Sequence, residues 1–87
     1  MINSRKRAQR CFNRFCKSRK LENFNSIAQI VHSDGSTFIL HYATVWWSRE
    51  KFKNEDGIIA AVWIGVCTEH NGNFLFNAGD ILDYWVR

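Results

Sequence analysis

The stretch SRKRAQRCFNRFCKSRK, residues 4 to 20, holds eight of the chain's twelve Lys and Arg and no Asp or Glu. So much like charge folds only where apolar residues share one face that something else can cover. Here they do. Ala8, Cys11, Phe12, Phe15 and Cys16 recur at i, i+3, i+4, i+7 and i+8, the spacing of one helical face. At about 100° per residue they span an arc of roughly 140°. Lys6, Arg7, Arg10, Arg14 and Lys17 gather on the opposite side, and Arg5 and Arg19 lean toward the apolar side at the two ends. Asn3 or Ser4 can cap a helix that begins at Arg5. The polar NFNS at 23–26 ends the pattern, so the spacing predicts a basic helix within residues 1–22.

Such a helix needs a body to dock on. Four like-charged pairs at i, i+3 or i+4 cost roughly 1–2 kcal/mol together. Burying Phe12 and Phe15, at about 1.5–3 kcal/mol each, offsets that cost. The body follows from Ile27 onward, where the period changes to that of strands. IAQIVHSDGSTFILHY places two β-rich runs around Asp34-Gly35, a type I′ hairpin signal. With those two residues as the turn, Val31 faces Phe38, Gln29 faces Leu40 and Ile27 faces Tyr42. The second strand runs on to about Trp47. The polar SREKFKNEDG reads as a short irregular connection, with a strand continuing to a second turn at Asp56-Gly57 as the alternative. Residues from Ile58 to Cys67 are apolar on both alternating faces, as in a central strand covered on both sides. Asn71-Gly72 is another hairpin signal, pairing Glu69 with Phe74 and Cys67 with Phe76. ILDYWVR closes the chain as a strand, or as a short helix capped by Asp80.

The expected architecture is α+β: an N-terminal basic amphipathic helix packed on a four- to five-stranded antiparallel β-meander, which could curve into a small, partly open barrel. It is read as one domain, with the helix over 1–22 and the sheet over 27–87. With 46% apolar and 15% aromatic residues, the 87-residue chain can supply a core,.

Charge then separates function classes. Residues 1–20 carry a net of +8, whereas residues 21–87 carry four basic and eight acidic side chains, a net of −4. This asymmetry implies a charged partner for the helix. Arginine rows match phosphates in bidentate fashion, so Lys6, Arg7, Arg10, Arg14 and Lys17 are the expected contacts to nucleic acid, DNA or RNA, largely without regard to base sequence. The alternative is a protein-interaction module, an inhibitor or assembly factor, that meets an acidic or larger protein through the sheet edge or an aromatic patch. Trp46 and Trp47 are neighbours, so in a regular strand they point to opposite faces. One of them must leave the main core, and it is the candidate aromatic contact.

Other chemistry is poorly supported. His32, His41 and His70 belong to no nucleophile motif, no glycine-rich phosphate loop occurs, and no catalytic residue is assigned: the chain is not read as an enzyme. Cys11, Cys16, Cys67 and His70 could in principle ligate zinc, but fifty residues separate the halves and Cys11 and Cys16 lie about 140° apart on a helix. No metal or cofactor is expected. Three cysteines are an odd number, read as free thiols in a reducing, cytoplasmic setting. Nuclear and organellar signals are met only in their loosest form. No apolar run is long enough to span a membrane, and no apolar stretch follows the basic segment as in a secretory signal.

Overall fold

In the computed structural model, which describes residues 4–53, 55–57 and 59–87, helix α1 spans Ser4–Ser18. A single 3₁₀ turn at Leu21–Asn23 leads into seven strands: β1 (Ser26–His32), β2 (Thr37–Trp47), β3 (Lys51–Lys53), β4 (Ile59–Ala61), β5 (Trp63–Thr68), β6 (Asn73–Asn77) and β7 (Ile81–Val86). Five of them form an antiparallel sheet in the order β6-β5-β2-β1-β7, and β3 and β4 form a separate two-stranded ribbon. The α+β class stands, with one helix on a five-stranded antiparallel sheet. The candidate cap Asn3 lies outside the described residues.

The sheet departs from a meander at its last strand. β7 does not pair with its predecessor β6 but crosses to β1 at the far edge. Only the 3₁₀ turn Ala78–Asp80 joins the two. Four residue steps reach at most about 14 Å, whereas four strand spacings in a flat sheet need about 19 Å. The sheet must therefore roll at this end, although it does not close into a barrel. The rolled interior holds Ala28, Ile30, Leu40, Ala43 and Val66, with Phe38, Val45, Phe74, Phe76 and Ile81 around them. Phe38 meets Phe76 at 5.6 Å across this space. The other face of β5 and β6 is covered by α1, where Phe12, Phe24 and Cys67 form a second core with Phe15, Cys16, Trp46 and Leu75.

Both predicted hairpins exist, but their registers differ from expectation. In the first, Val31 pairs with Thr37, Gln29 with Ile39 and Ala28 with Leu40. The loop holds three residues, not two: the Gly35 amide donates to the His32 carbonyl and only Gly35 has positive φ, at 91°. This is a type I turn followed by a left-handed glycine. A type I′ turn would also require positive φ at Asp34. That side chain instead accepts from the Ser36 amide (2.8 Å) and hydroxyl (2.5 Å). The Ser36 hydroxyl, then its amide, hold the Asp34 carboxyl below the usual aspartate range. What they contribute is present above the unfolded-state pKa and is lost as pH falls through the lowered native one.

In the second hairpin, Cys67 pairs with Asn73 and Val66 with Phe74, because the loop is longer than two residues. The Thr68 hydroxyl accepts from the Asn71 amide (3.0 Å) and donates to the Gly72 carbonyl, tying the loop to its own side chain. The predicted central strand is also interrupted. It breaks at Val62, whose amide bonds the Glu50 carbonyl (3.0 Å). β5, after the break, is buried on both faces as expected. The segment read as irregular is in part the ribbon: Lys51 pairs with Ala61 and Lys53 with Ile59, turned near Gly57 at φ 78°. Ile58 lies outside the described residues.

One irregularity determines which tryptophan faces the helix. Between Ser26↔Ala43 and Ala28↔Leu40 the register shifts, so His41 and Tyr42 together oppose Ile27. Tyr42 takes a left-handed φ of 50°, rare for a bulky residue,. This bulge reverses the alternation of β2. Leu40, Ala43 and Val45 all face the rolled interior, Trp46 turns toward α1, and Trp47 falls on the other side.

Candidate phosphate and base-binding surface

α1 is seated by Ala8 and Phe12, which are buried, and by Phe15 and Cys16, which are half-buried. Its expected apolar arc is therefore correct except at Cys11, which is exposed. Phe12 has no accessible surface because Gly65 on β5 makes room for its ring. A Cβ on Gly65 would lie 2.4 Å from Phe12 Cδ1. At the far end of the helix the Arg19 guanidinium stacks 4.1 Å above the Phe15 ring,.

The cysteines overturn one expectation. Cys16 and Cys67 form a disulfide that joins α1 to β5, and Cys11 alone is free. The odd count had hidden a pair fifty-one residues apart that only the docking of the helix brings together. The zinc arrangement considered above loses two of its sulfurs, and the inference to a reducing compartment loses its footing, since disulfides persist in oxidising ones. No helix among the described residues is long and apolar enough to cross a membrane.

With its apolar face docked and cross-linked, the helix turns its charges outward. Lys6, Arg7, Arg10, Arg14 and Lys17 are all exposed. Among the described residues no ion pair engages Arg7, Arg10, Arg14 or Lys17, whereas His32 pairs with Asp34 and His70 with Glu69. The first turn of α1 contains no acidic residue. That role falls to Glu50, whose carboxylate accepts from the Ser4 hydroxyl.

Glu50 is held there by a small hydrogen-bonded corner. Ser48 is buried. Its hydroxyl donates to the Glu50 carbonyl (3.1 Å) and accepts from the Trp63 amide (3.0 Å), and its own amide donates to the Trp63 carbonyl (3.0 Å). The Trp63 indole N–H in turn donates to the Ser4 hydroxyl (3.0 Å). Residues 48–50 are thus fixed against the start of the helix. Between them lies a cavity of about 400 Å³, with Trp46 and Trp63 in its walls, Cys11 at the helix side, and Arg7, Arg49 and Glu50 among its polar lining. Trp46 also touches Phe12, ring centroids 5.7 Å apart.

The structure therefore brings together two residues that the sequence had nominated separately, Arg7 and Trp46. Trp47, the other nominated aromatic, sits apart. It is 41% exposed and meets Tyr84 edge-on at 5.3 Å. Arg49 and Trp63 were not singled out as site residues. Arg49 stood in a polar run with no periodicity, and Trp63 was one aromatic among many in a strand assigned to the core. His32 and His70 stand at turns, beside Asp34 and Glu69. The chain matches no protein-family model, no curated protein and no solved structure.

Proposed function

We propose that this chain is a small nucleic-acid-binding module, not an enzyme, that contacts phosphates through the outer face of α1, largely without regard to base sequence. One observation carries the reading. Arg7, Arg10, Arg14 and Lys17 face solvent on a helix locked to the sheet by a disulfide, and none joins an ion pair among the described residues. Among the described residues no carboxylate pairs with that row, and phosphates match it by geometry as well as charge. Lys6 lies beside it.

Salt dependence is the test. Each phosphate neutralised contributes about −0.9 to the slope of log K against log salt on duplex DNA and about −0.7 on single strands. Up to five contacts give a slope of roughly −3 to −4.5. Fluorescence anisotropy with labelled strands of unrelated sequence should return such a slope, little changed between sequences. Absence of binding to DNA and RNA at low salt, single- or double-stranded, would reject the reading.

A second reading rests on the other side of the sheet. Trp47, Phe52, Leu82 and Tyr84 stay exposed around a groove of about 200 Å³ where the β3–β4 ribbon meets β7. Exposed apolar surface beside a strand edge suits a protein partner. The edge itself is partly blunted, because the Tyr84 amide donates to the Asp83 side chain (2.9 Å),.

A further inference from the structure

Resting on the reading above, we propose that the cavity between the start of α1 and residues 48–50 accepts one unpaired nucleobase, so that the module prefers single-stranded to fully paired nucleic acid. Three properties of the cavity point there. Its volume, about 400 Å³, falls within the roughly 300–1,000 Å³ of small-molecule sites. Its walls offer two indole rings, Trp46 and Trp63, and every base has a π-face to lay against them,. Its polar lining carries two guanidiniums, Arg7 and Arg49, which no ion pair engages among the described residues, against the single carboxylate of Glu50. A base that enters brings a phosphate with it, and the two arginines are placed to take that charge. Glu50 can accept from ring or exocyclic N–H groups of the base.

The cavity is also continuous with the phosphate row. Arg7 belongs to both, one turn before Arg10 on the same helix face,. A strand lying along Arg14 and Arg10 would reach Arg7 at the cavity mouth. Bases in a duplex are stacked and paired and could enter only by flipping out, at a cost that a single strand does not incur.

The test compares, on the intact oxidised protein, an oligothymidylate of about twelve nucleotides with an abasic strand of the same length and charge. Stacking of one base predicts that the oligothymidylate binds roughly 5- to 150-fold more tightly, with the same salt slope. It should also shift the indole N–H resonances of Trp46 and Trp63, which the abasic strand should leave in place. Equal affinities for the two strands overturn the inference while leaving the phosphate reading intact. Discrimination with both indole signals unmoved overturns it as well, since the base contact then lies elsewhere. Thymidine monophosphate that competes as tightly as the strand assigns the cavity to a free nucleotide and rejects the strand. Failure of both strands to bind at low salt rejects this inference together with the reading beneath it.

Discussion

Reduction of the Cys16–Cys67 disulfide is expected to lower the unfolding free energy by roughly 4 kcal/mol. The bond closes a loop across a sequence separation of 51, and the chain-entropy relation gives about that value for a loop of this length. Against total stabilities of about 5–15 kcal/mol, this is a large fraction. The effect should appear as a lower urea midpoint in the presence of a non-thiol reductant, and Cys16→Ser should reproduce it. Cys11→Ser should change little, because that thiol is exposed and unbonded. Alkylation of the unreduced native protein should modify Cys11 alone. Labelling of all three cysteines without reductant would show that the helix is not cross-linked to β5.

The second large effect belongs to the contact that seats the helix. Phe12→Ala should cost about 3–5 kcal/mol, the usual range for emptying a buried aromatic site. Gly65→Ala should cost about 1–3 kcal/mol or more, because its methyl group would overlap the Phe12 ring,. The two costs should not add. Once Phe12 is gone the methyl group meets open space, so the double variant should be more stable than the sum of the single effects implies by over about 1 kcal/mol. Chemical denaturation of the four proteins gives the cycle directly. Strict additivity would mean that Phe12 does not lie over Gly65, and the docking of α1 would need another explanation.

These contacts also show what could be read from residues alone. The helix and its buried face were legible because five apolar positions keep one period through residues 8–16, and no competing structure satisfies that pattern. The turns were legible as turns, but not their lengths. Asp34-Gly35 serves a two-residue and a three-residue loop equally well, and the choice fell to the Ser36 groups that hold the Asp34 carboxylate. One residue of register then exchanges the two faces of a strand. The bulge at Tyr42 was invisible, since no glycine or asparagine marks it, yet it alone decides that Trp46 and not Trp47 joins the helix side. The return of β7 to β1 was equally hidden, because it depends on the roll of the whole sheet and not on any local residue.

The candidate site divides along the same line. Its charges belong to one periodic helix and could be named from the sequence. The cavity beside them is assembled from Ser4, Ser48, Glu50 and Trp63 through hydrogen bonds spanning up to 59 residues. Arg49 arrives there only because its neighbours are fixed. Likewise, Cys16 and Cys67 could be paired only once the helix had been placed on β5.

The most direct test of the account is to replace Arg10 and Arg14 together by Gln and measure stability and binding on the same preparation. Glutamine keeps helix propensity, and the change relieves like-charge repulsion along the helix. Neither arginine joins an ion pair among the described residues. The variant should therefore be at least as stable as the parent, yet its log K against log salt should be shallower by roughly 1.4 to 1.8 from two lost phosphate contacts. Stability held or raised while binding falls is the predicted result. A variant that unfolds more readily, with its salt slope unchanged, would show that those arginines serve the fold and contradict the claim that α1 presents them to phosphate.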